Sequence, residues 1–301
     1  MQSRKQYQQR FLRMIRKVQD TYREPIYKAL REQINYFADT YTGTETPTFL
    51  PTKLLNQTLR KLYESAGYTN AVYTRQSVKR DVMKAADNPN ERMRWSVNEY
   101  YRQNLLSQAV TPITNTTRKQ INMVLEQAAA EGWGVKKTVA ALKKTDITKQ
   151  RAELIVRTET MKAANAGAMI GAADLGIAVQ KEWISAQDDR TRRIPRDQYD
   201  HLHMDGKKVN FSDGFIVPST KSIDMMMYPG DPNGSAGNVC NCRCTVAFVP
   251  MRDANGRAIP ANQITQTGPA RLFIDLAIQS AAQLITGGLI ANLIAAIEGE
   301  E

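Results

Sequence analysis

Residues 177–185, IAVQKEWIS, mark the point where the chain changes from one kind of structure to another. Apolar and polar residues alternate along this stretch, which predicts a β-strand with one buried face. TVAFVP at residues 245–250 predicts a second strand, and residues 209–217 could hold two short strands around Asp213-Gly214. The segments between them are rich in Asp, Gly, Pro and Asn. Such loops usually carry function or receive a partner.

The chain before this point has the pattern of a nearly all-helical region. Apolar residues recur at spacings of three and four from Phe11 to Phe37, which predicts one long helix over residues 3–37 that Pro25 kinks or divides. Gly67 is placed to end a second helix, and Pro112 marks a break before a later one. The sequence therefore predicts an α+β fold, with a mainly helical N-terminal half followed by a small, loop-rich α+β module.

The chain after the strands is predicted to contain a linker and an apolar C-terminal helix. Residues 276–297 contain no charge and are long enough to span a bilayer. Their Gln, Ser, Thr, Asn and Gly content is polar for a lipid-facing helix, so a buried helix or a subunit interface is the preferred interpretation, with membrane contact as the alternative. The predicted divisions are a basic helical region (1–145), the module (146–250), a linker (251–271) and the apolar helix (272–301).

Positive charge is concentrated in the first half of the chain. Residues 1–150 contain 26 Lys and Arg against 13 Asp and Glu, whereas residues 151–301 contain 15 against 17. The basic half is expected to meet a polyanion, either nucleic acid or an acidic protein surface. The alternative is a set of solvated helix faces. The candidate polyanion-binding residues lie between the apolar positions of the first helix: Arg10, Arg13, Arg16, Lys17 and Arg23.

The cysteines are clustered, as Cys240, Cys242 and Cys244. A disulfide framework would spread cysteines to close loops, so this spacing is typical of a protein that folds in a reducing compartment. Thiolates and imidazole are the ligands that zinc prefers, which makes His201, Cys242 and Cys244 a candidate structural zinc site, with Cys240 or His203 as a completing ligand. Buried free cysteines beside a hydrogen-bonded histidine are the alternative, and so is a disulfide formed after cell lysis.

Four short motifs occur in order between residues 157 and 244. They are RTET at 157–160, KEW at 181–183, DRTR at 189–192 followed by His201 and Met204-Asp205-Gly206, and NCRC at 241–244. Over about residues 146–250 this ordered set resembles the phage Mu F-like family of head morphogenesis proteins, which are minor head or minor capsid proteins. The resemblance implies a component present in few copies, associated with the portal vertex, which acts in head assembly and in genome packaging or delivery.

The charged residues of these motifs are predicted to brace the module. Arg157 and Glu159 are two apart on a helix and cannot face each other, so we expect them to pair with the Asp189–Arg192 loop. Direct contact of that loop with DNA or the portal protein is the main alternative. The predicted structural network contains Arg157, Glu159, Trp183, Asp189, Arg190, Arg192, Asp205 and Gly206.

Motifs of common enzyme classes do not occur in the sequence. There is no Gly-rich phosphate loop, no G-x-S-x-G and no H-E-x-x-H, and two histidines offer few carriers for acid–base chemistry. We therefore expect a protein that is not an enzyme. The alternatives are a DNA-processing or modifying enzyme that uses the Asp/His/Cys module, with Cys242 as nucleophile and His201 as base, and a membrane-active ejection protein that acts through residues 272–298.

These patterns and the resemblance together predict a minor head protein of a tailed phage. Its expected partners are the portal protein, phage DNA bound without sequence specificity, and scaffold or other head proteins. Self-association or membrane contact is expected through residues 272–298. The expected locations are the capsid interior near the portal and, during assembly, the host cytoplasm.

Overall fold

The computed structural model describes residues 4–80, 90–144, 148–221 and 223–264. The first part is helical, with α1 (Arg4–Thr40), α2 (Lys53–Arg80), α3 (Asn90–Asn104), α4 (Leu106–Ala130), α5 (Val135–Lys144) and α6 (Thr148–Ala173). The second part contains β1 (Val179–Ile184), β2 (Lys208–Asn210), β3 (Phe215–Val217), β4 (Asp224–Met226), the short helix α7 (Ala236–Val239) and β5 (Thr245–Pro250). The predicted α+β class is confirmed, and the predicted C-terminal helix lies outside the described residues.

Helix α1 is continuous, and Pro25 lies inside it without dividing it. Its apolar residues recur every three or four positions and are buried, among them Phe11, Ile15 and Leu30. This stripe packs against α6 and α2, so the basic residues between the apolar positions are left on the outer side of the helix.

The prediction that Gly67 ends a helix is wrong, because α2 runs through it to Arg80. A methyl group at Gly67 would overlap the hydroxyl of Tyr101, and one at Gly167 would overlap the backbone of Gly67. Gly171 stands in the same relation to the backbone of Ala71. Gly167 and Gly171 therefore permit the close approach of α2 and α6, which form the most extensive helix–helix contact of the described structure, while Gly67 leaves room for Tyr101 of α3.

The predicted break at Pro112 is also misplaced. The helical path is interrupted at Leu105, between α3 and α4, while Pro112 lies inside α4. The missing N–H of Pro112 deprives the carbonyl of Gln108 of its helical partner. Both residues are exposed, so water can satisfy that carbonyl and the helix continues.

The strands form two small antiparallel sheets. In the first, β1 is central, with β2 on one side and β5 on the other, and Trp183 of β1 is opposite Val246 of β5. The second consists of β3 and β4. Both short strands predicted over residues 209–217 are present, but they belong to different sheets.

The described part of the predicted linker folds back onto the module. The Ala178 amide donates to the Ile259 carbonyl at 2.8 Å, and the Met251 amide donates to the Ala178 carbonyl at 2.9 Å. The second bond continues the β1–β5 pairing just beyond Pro250, and the first attaches the returning segment at Ile259 to the chain just before β1. Among the described helices, none is long and apolar enough to cross a membrane. Residues 272–298, for which membrane contact was the alternative, lie outside the described residues.

Candidate functional site

The RTET motif on α6 is attached to the NCRC motif that precedes β5. The guanidinium of Arg157 donates to the side-chain oxygen of Asn241 at 2.7 Å, and the hydroxyl of Thr158 accepts the Asn241 amide at 3.0 Å. Asn241 has a φ of 60°, in the left-handed region that asparagine tolerates better than most residues. The two motifs therefore meet at one turn although they are far apart in sequence.

The loop that contains the DRTR motif is also attached to the turn at Asn241, through residues on both sides of it. Asp188 forms a bidentate ion pair with Arg243, and the Arg192 guanidinium donates to the carbonyl of Cys240. Partial burial raises the pKa of Asp188, but the Arg243 guanidinium outweighs it and holds that pKa below its usual value. Helix, loop and NCRC segment are thus joined by charge-assisted hydrogen bonds.

The predicted direct pairing of Arg157 and Glu159 with this loop is wrong, because Arg157 bonds to Asn241 of the NCRC motif instead. The Glu159 carboxylate turns the other way, where it accepts from the Tyr63 hydroxyl of α2 at 2.7 Å and from Lys162 at 2.9 Å. The carboxylate that joins the loop to the NCRC segment is that of Asp188, whereas Asp189, the predicted member, contributes its backbone carbonyl as an acceptor from Arg196. The network exists, but its centre is Asn241 and Arg243.

The remaining predicted members hold the turn after β1. The Asp205 carboxylate accepts from the Ser185 amide at 2.9 Å and from Gln187 at 2.6 Å, while the Gly206 amide donates to the Trp183 carbonyl at 2.8 Å. Gly206 has a φ of 74°, which favours glycine. Trp183 is buried and packs edge-on against the rings of His201 and Phe215.

Asn165 joins α6 to the sheet, and the sequence analysis did not identify it. Its amide nitrogen donates to the carbonyls of Pro229 and Cys244 at 2.7 and 3.1 Å. Its oxygen accepts from the Thr245 hydroxyl at 2.9 Å and from the Val246 amide at 3.3 Å. A polar residue in the small-residue run MKAANAGAM was the available signal.

Lys181 is a second buried polar residue that was missed. Its ammonium donates to the Met227 carbonyl at 2.9 Å and lies 5.3 Å from the centre of the Phe215 ring. Burial lowers the pKa of Lys181 to about 7, although Asp213 and Asp231 oppose the shift. The residue links β1 to the segment after β4.

The predicted zinc ligands converge inside the module. Nδ1 of His201 lies 3.6 Å from Sγ of Cys242 and 3.5 Å from Sγ of Cys244. The three side chains belong to residues that are 1%, 3% and 2% exposed. Cys240 and His203 are both exposed and do not belong to this group of converging donor atoms. The structure therefore brings together three of the five residues that the sequence singled out.

The two buried thiols differ in acidity. The hydrogen bond from the Cys244 thiol lowers the pKa of Cys242 well below its ordinary value, and His201 adds to the effect, whereas burial raises the pKa of Cys244 well above it. Of the two thiols, Cys242 is therefore the more acidic. The burial of Cys242 leaves no access for a macromolecular substrate, which is unfavourable for this residue as a nucleophile.

The candidate polyanion-binding residues of α1 are all exposed: Arg10, Arg13, Arg16, Lys17 and Arg23. Arg23 is close to the carboxylates of Asp20 and Glu153, at 3.2 and 3.6 Å. Arg10 lies over the ring of Tyr73, 4.7 Å from its centre. Within the described structure, no ion pair involves the remaining three, so their charges face solvent.

Arginines from four segments of the chain lie near one another at the junction of α1 with the module. Burial lowers the pKa of Arg157, and the positive charges of Arg190, Arg243 and Arg23 lower it further, while Glu153 opposes them. The Arg190 side chain is exposed. The basic surface of α1 therefore continues toward the DRTR loop, which the sequence could not show.

Comparison with known proteins agrees with the motif order. Residues 119–247 match the family described as phage Mu protein F like protein. This chain carries a Mu F-like segment. The match confirms the resemblance predicted over residues 146–250 and begins earlier, within α4. It supports a protein of phage head morphogenesis.

One curated relative shares part of the chain. The NAD(+)–arginine ADP-ribosyltransferase EFV of Enterococcus faecalis (strain ATCC 700802 / V583) is 30% identical over 108 residues. Those residues are 35% of this chain but 20% of that protein. The chain thus spans about a fifth of the relative, whose named activity is not transferred to it. No solved structure gives a significant match.

Proposed function

We propose that the protein is a minor head protein of a tailed phage, associated with the portal vertex and bound to DNA without sequence specificity. The observation that carries the proposal is the Mu F-like segment over residues 119–247. Such a protein is made in the host cytoplasm and incorporated into the virion near the portal, where it acts in head assembly and in genome packaging or delivery. Retention by the portal protein of the same phage is the experiment that tests it.

The module supports a structural rather than an enzymatic role. Charged residues of the module form the bonds that hold α6, the DRTR loop and the NCRC turn together, as with Arg157 and Asp188. The Cys–His group is buried beneath them. These features form a rigid body that can present its outer surfaces to portal, scaffold or other head proteins.

The basic outer face of α1 supports the DNA-binding part of the proposal. Arg16 and Lys17 come three and four residues after Arg13 and therefore lie near it on the same side of the helix. Their charges face solvent, and Arg190 extends the surface toward the module. Exposed Lys and Arg side chains neutralise phosphates without reading base sequence.

Replacing Arg13, Arg16 and Lys17 together with glutamate should weaken DNA binding by at least about tenfold at low salt. Each phosphate contact that is lost should also reduce the slope of log affinity against log salt concentration by about one. Fluorescence anisotropy with a duplex of arbitrary sequence, repeated at several salt concentrations, measures both quantities.

The matched control is the triple glutamate variant of Lys53, Arg60 and Lys61, exposed basic residues on α2. It changes the net charge by the same amount on a different helix, so it should reduce affinity much less. Equal losses in the two variants would assign the effect to net charge alone. Absence of DNA binding by the unmodified protein, even at low salt, would contradict this part of the proposal.

A further inference from the structure

We infer that His201, Cys242 and Cys244 bind a zinc ion that fastens the loop after β1 to the start of β5. The three donor atoms all lie within 4.8 Å of one another, and all three residues are buried. This inference concerns how the module is held together and does not depend on the proposed role in the phage head.

The separations of the imidazole nitrogen from the two sulfurs are those that a tetrahedral zinc ion imposes. Zinc lies about 2.3 Å from thiolate sulfur and about 2.0–2.1 Å from imidazole nitrogen, which places sulfur and nitrogen about 3.5 Å apart at a tetrahedral angle. The observed distances from His201 Nδ1 to the two sulfurs are 3.6 and 3.5 Å. The side chains are therefore already arranged for a single ion between them.

The histidine is also oriented as a metal ligand requires. Asn238 donates through its amide nitrogen to Asp224 at 3.1 Å, so its amide oxygen faces Nε2 of His201 and accepts the proton there. That bond leaves the lone pair on Nδ1, which is directed at the two sulfurs. Ligating histidines almost always donate their second ring N–H to such a partner, which fixes the tautomer.

The ion would add a metal link between segments that are already joined by hydrogen bonds and by the Asp188–Arg243 ion pair. The His201 amide donates to the Arg192 carbonyl at 3.0 Å, which ties the histidine to the DRTR loop. Cys242 and Cys244 flank Arg243, the partner of Asp188. A small, loop-rich module gains stability from such a metal link. Cys240 and His203 lie outside the group, so the described residues supply three ligands to the ion.

The test is the metal content of the full chain, expressed with zinc in the medium and purified under reducing conditions. We expect about one zinc ion per chain by plasma mass spectrometry. Cys242→Ser and Cys244→Ser should each lose most of that metal. Cys240→Ser is the matched control, since Cys240 is exposed and outside the group, and it should retain the zinc.

A second measurement keeps the inference testable if the serine variants fail to fold. Removal of metal from the unmodified protein with a strong chelator should lower its melting temperature, and added zinc should restore it. Cobalt in place of zinc should show thiolate-to-metal charge transfer and tetrahedral visible bands. Purified protein without stoichiometric metal, together with a melting temperature unaffected by chelator or zinc, would overturn the inference.

Discussion

Replacing Gly167 with alanine should destabilise the protein by about 3 kcal/mol, because the added methyl group overlaps the backbone of Gly67 across the α2–α6 contact. Backbone cannot move aside as a flexible side chain can, so the two helices must separate. For a protein of this size we expect the melting temperature to fall by roughly 6–12 °C. Thermal unfolding followed by circular dichroism measures the change.

Gly134→Ala provides the matched control for Gly167→Ala. A methyl group at Gly134 meets nothing within 4 Å, and the residue precedes α5 on the surface. Its stability should stay within about 0.5 kcal/mol of the unmodified protein. If Gly167→Ala were equally harmless, α2 and α6 would not approach as closely as the structure has them.

Asn165→Ala should cost about 3–5 kcal/mol of folding free energy, since Asn165 satisfies four polar groups at a fully buried position. Its loss leaves the carbonyls of Pro229 and Cys244, and the amide of Val246, without that partner. We expect the helical part to retain its structure longer than the module as denaturant increases. Hydrogen exchange across α6 and β5, with urea unfolding, measures both effects.

Asn255→Ala is the control for this second variant. Asn255 is exposed in the turn between Asp253 and Arg257, so its replacement should change stability by less than about 0.5 kcal/mol. If Asn165→Ala lowered the folding stability no more than Asn255→Ala does, the side-chain amide of Asn165 would not join α6 to the sheet.

Most helices and strands could be predicted because burial imposes a period on the sequence. The apolar stripe of α1 and the alternation of β1 are clear examples. The helix boundaries at Gly67 and Pro112 could not be predicted in the same way. The sequence does not distinguish a glycine that permits close helix packing from a glycine that ends a helix. A proline on an exposed helix face removes one hydrogen bond without ending the helix.

The site could be predicted in part for similar reasons. Cys242 and Cys244 are two apart and share a face, while the motif order drew attention to His201. Which of the two adjacent aspartates, Asp188 or Asp189, pairs with Arg243 depends on the conformation of the local turn. Two identical neighbouring residues give no sequence signal for that conformation. The burial of Lys181 could have been predicted, since this residue lies two positions from both Val179 and Trp183 and therefore shares the buried face of β1 with them.

The most direct test of the central claim is a pull-down of the full chain on immobilised portal protein from the same phage, with the major capsid protein as the control surface. The proposal predicts saturable retention on the portal and little on the capsid protein. Retention should persist after nuclease treatment, because the portal contact is a protein interface. No retention on the portal under any salt condition, or equal retention on both surfaces, would contradict a portal-associated minor head protein.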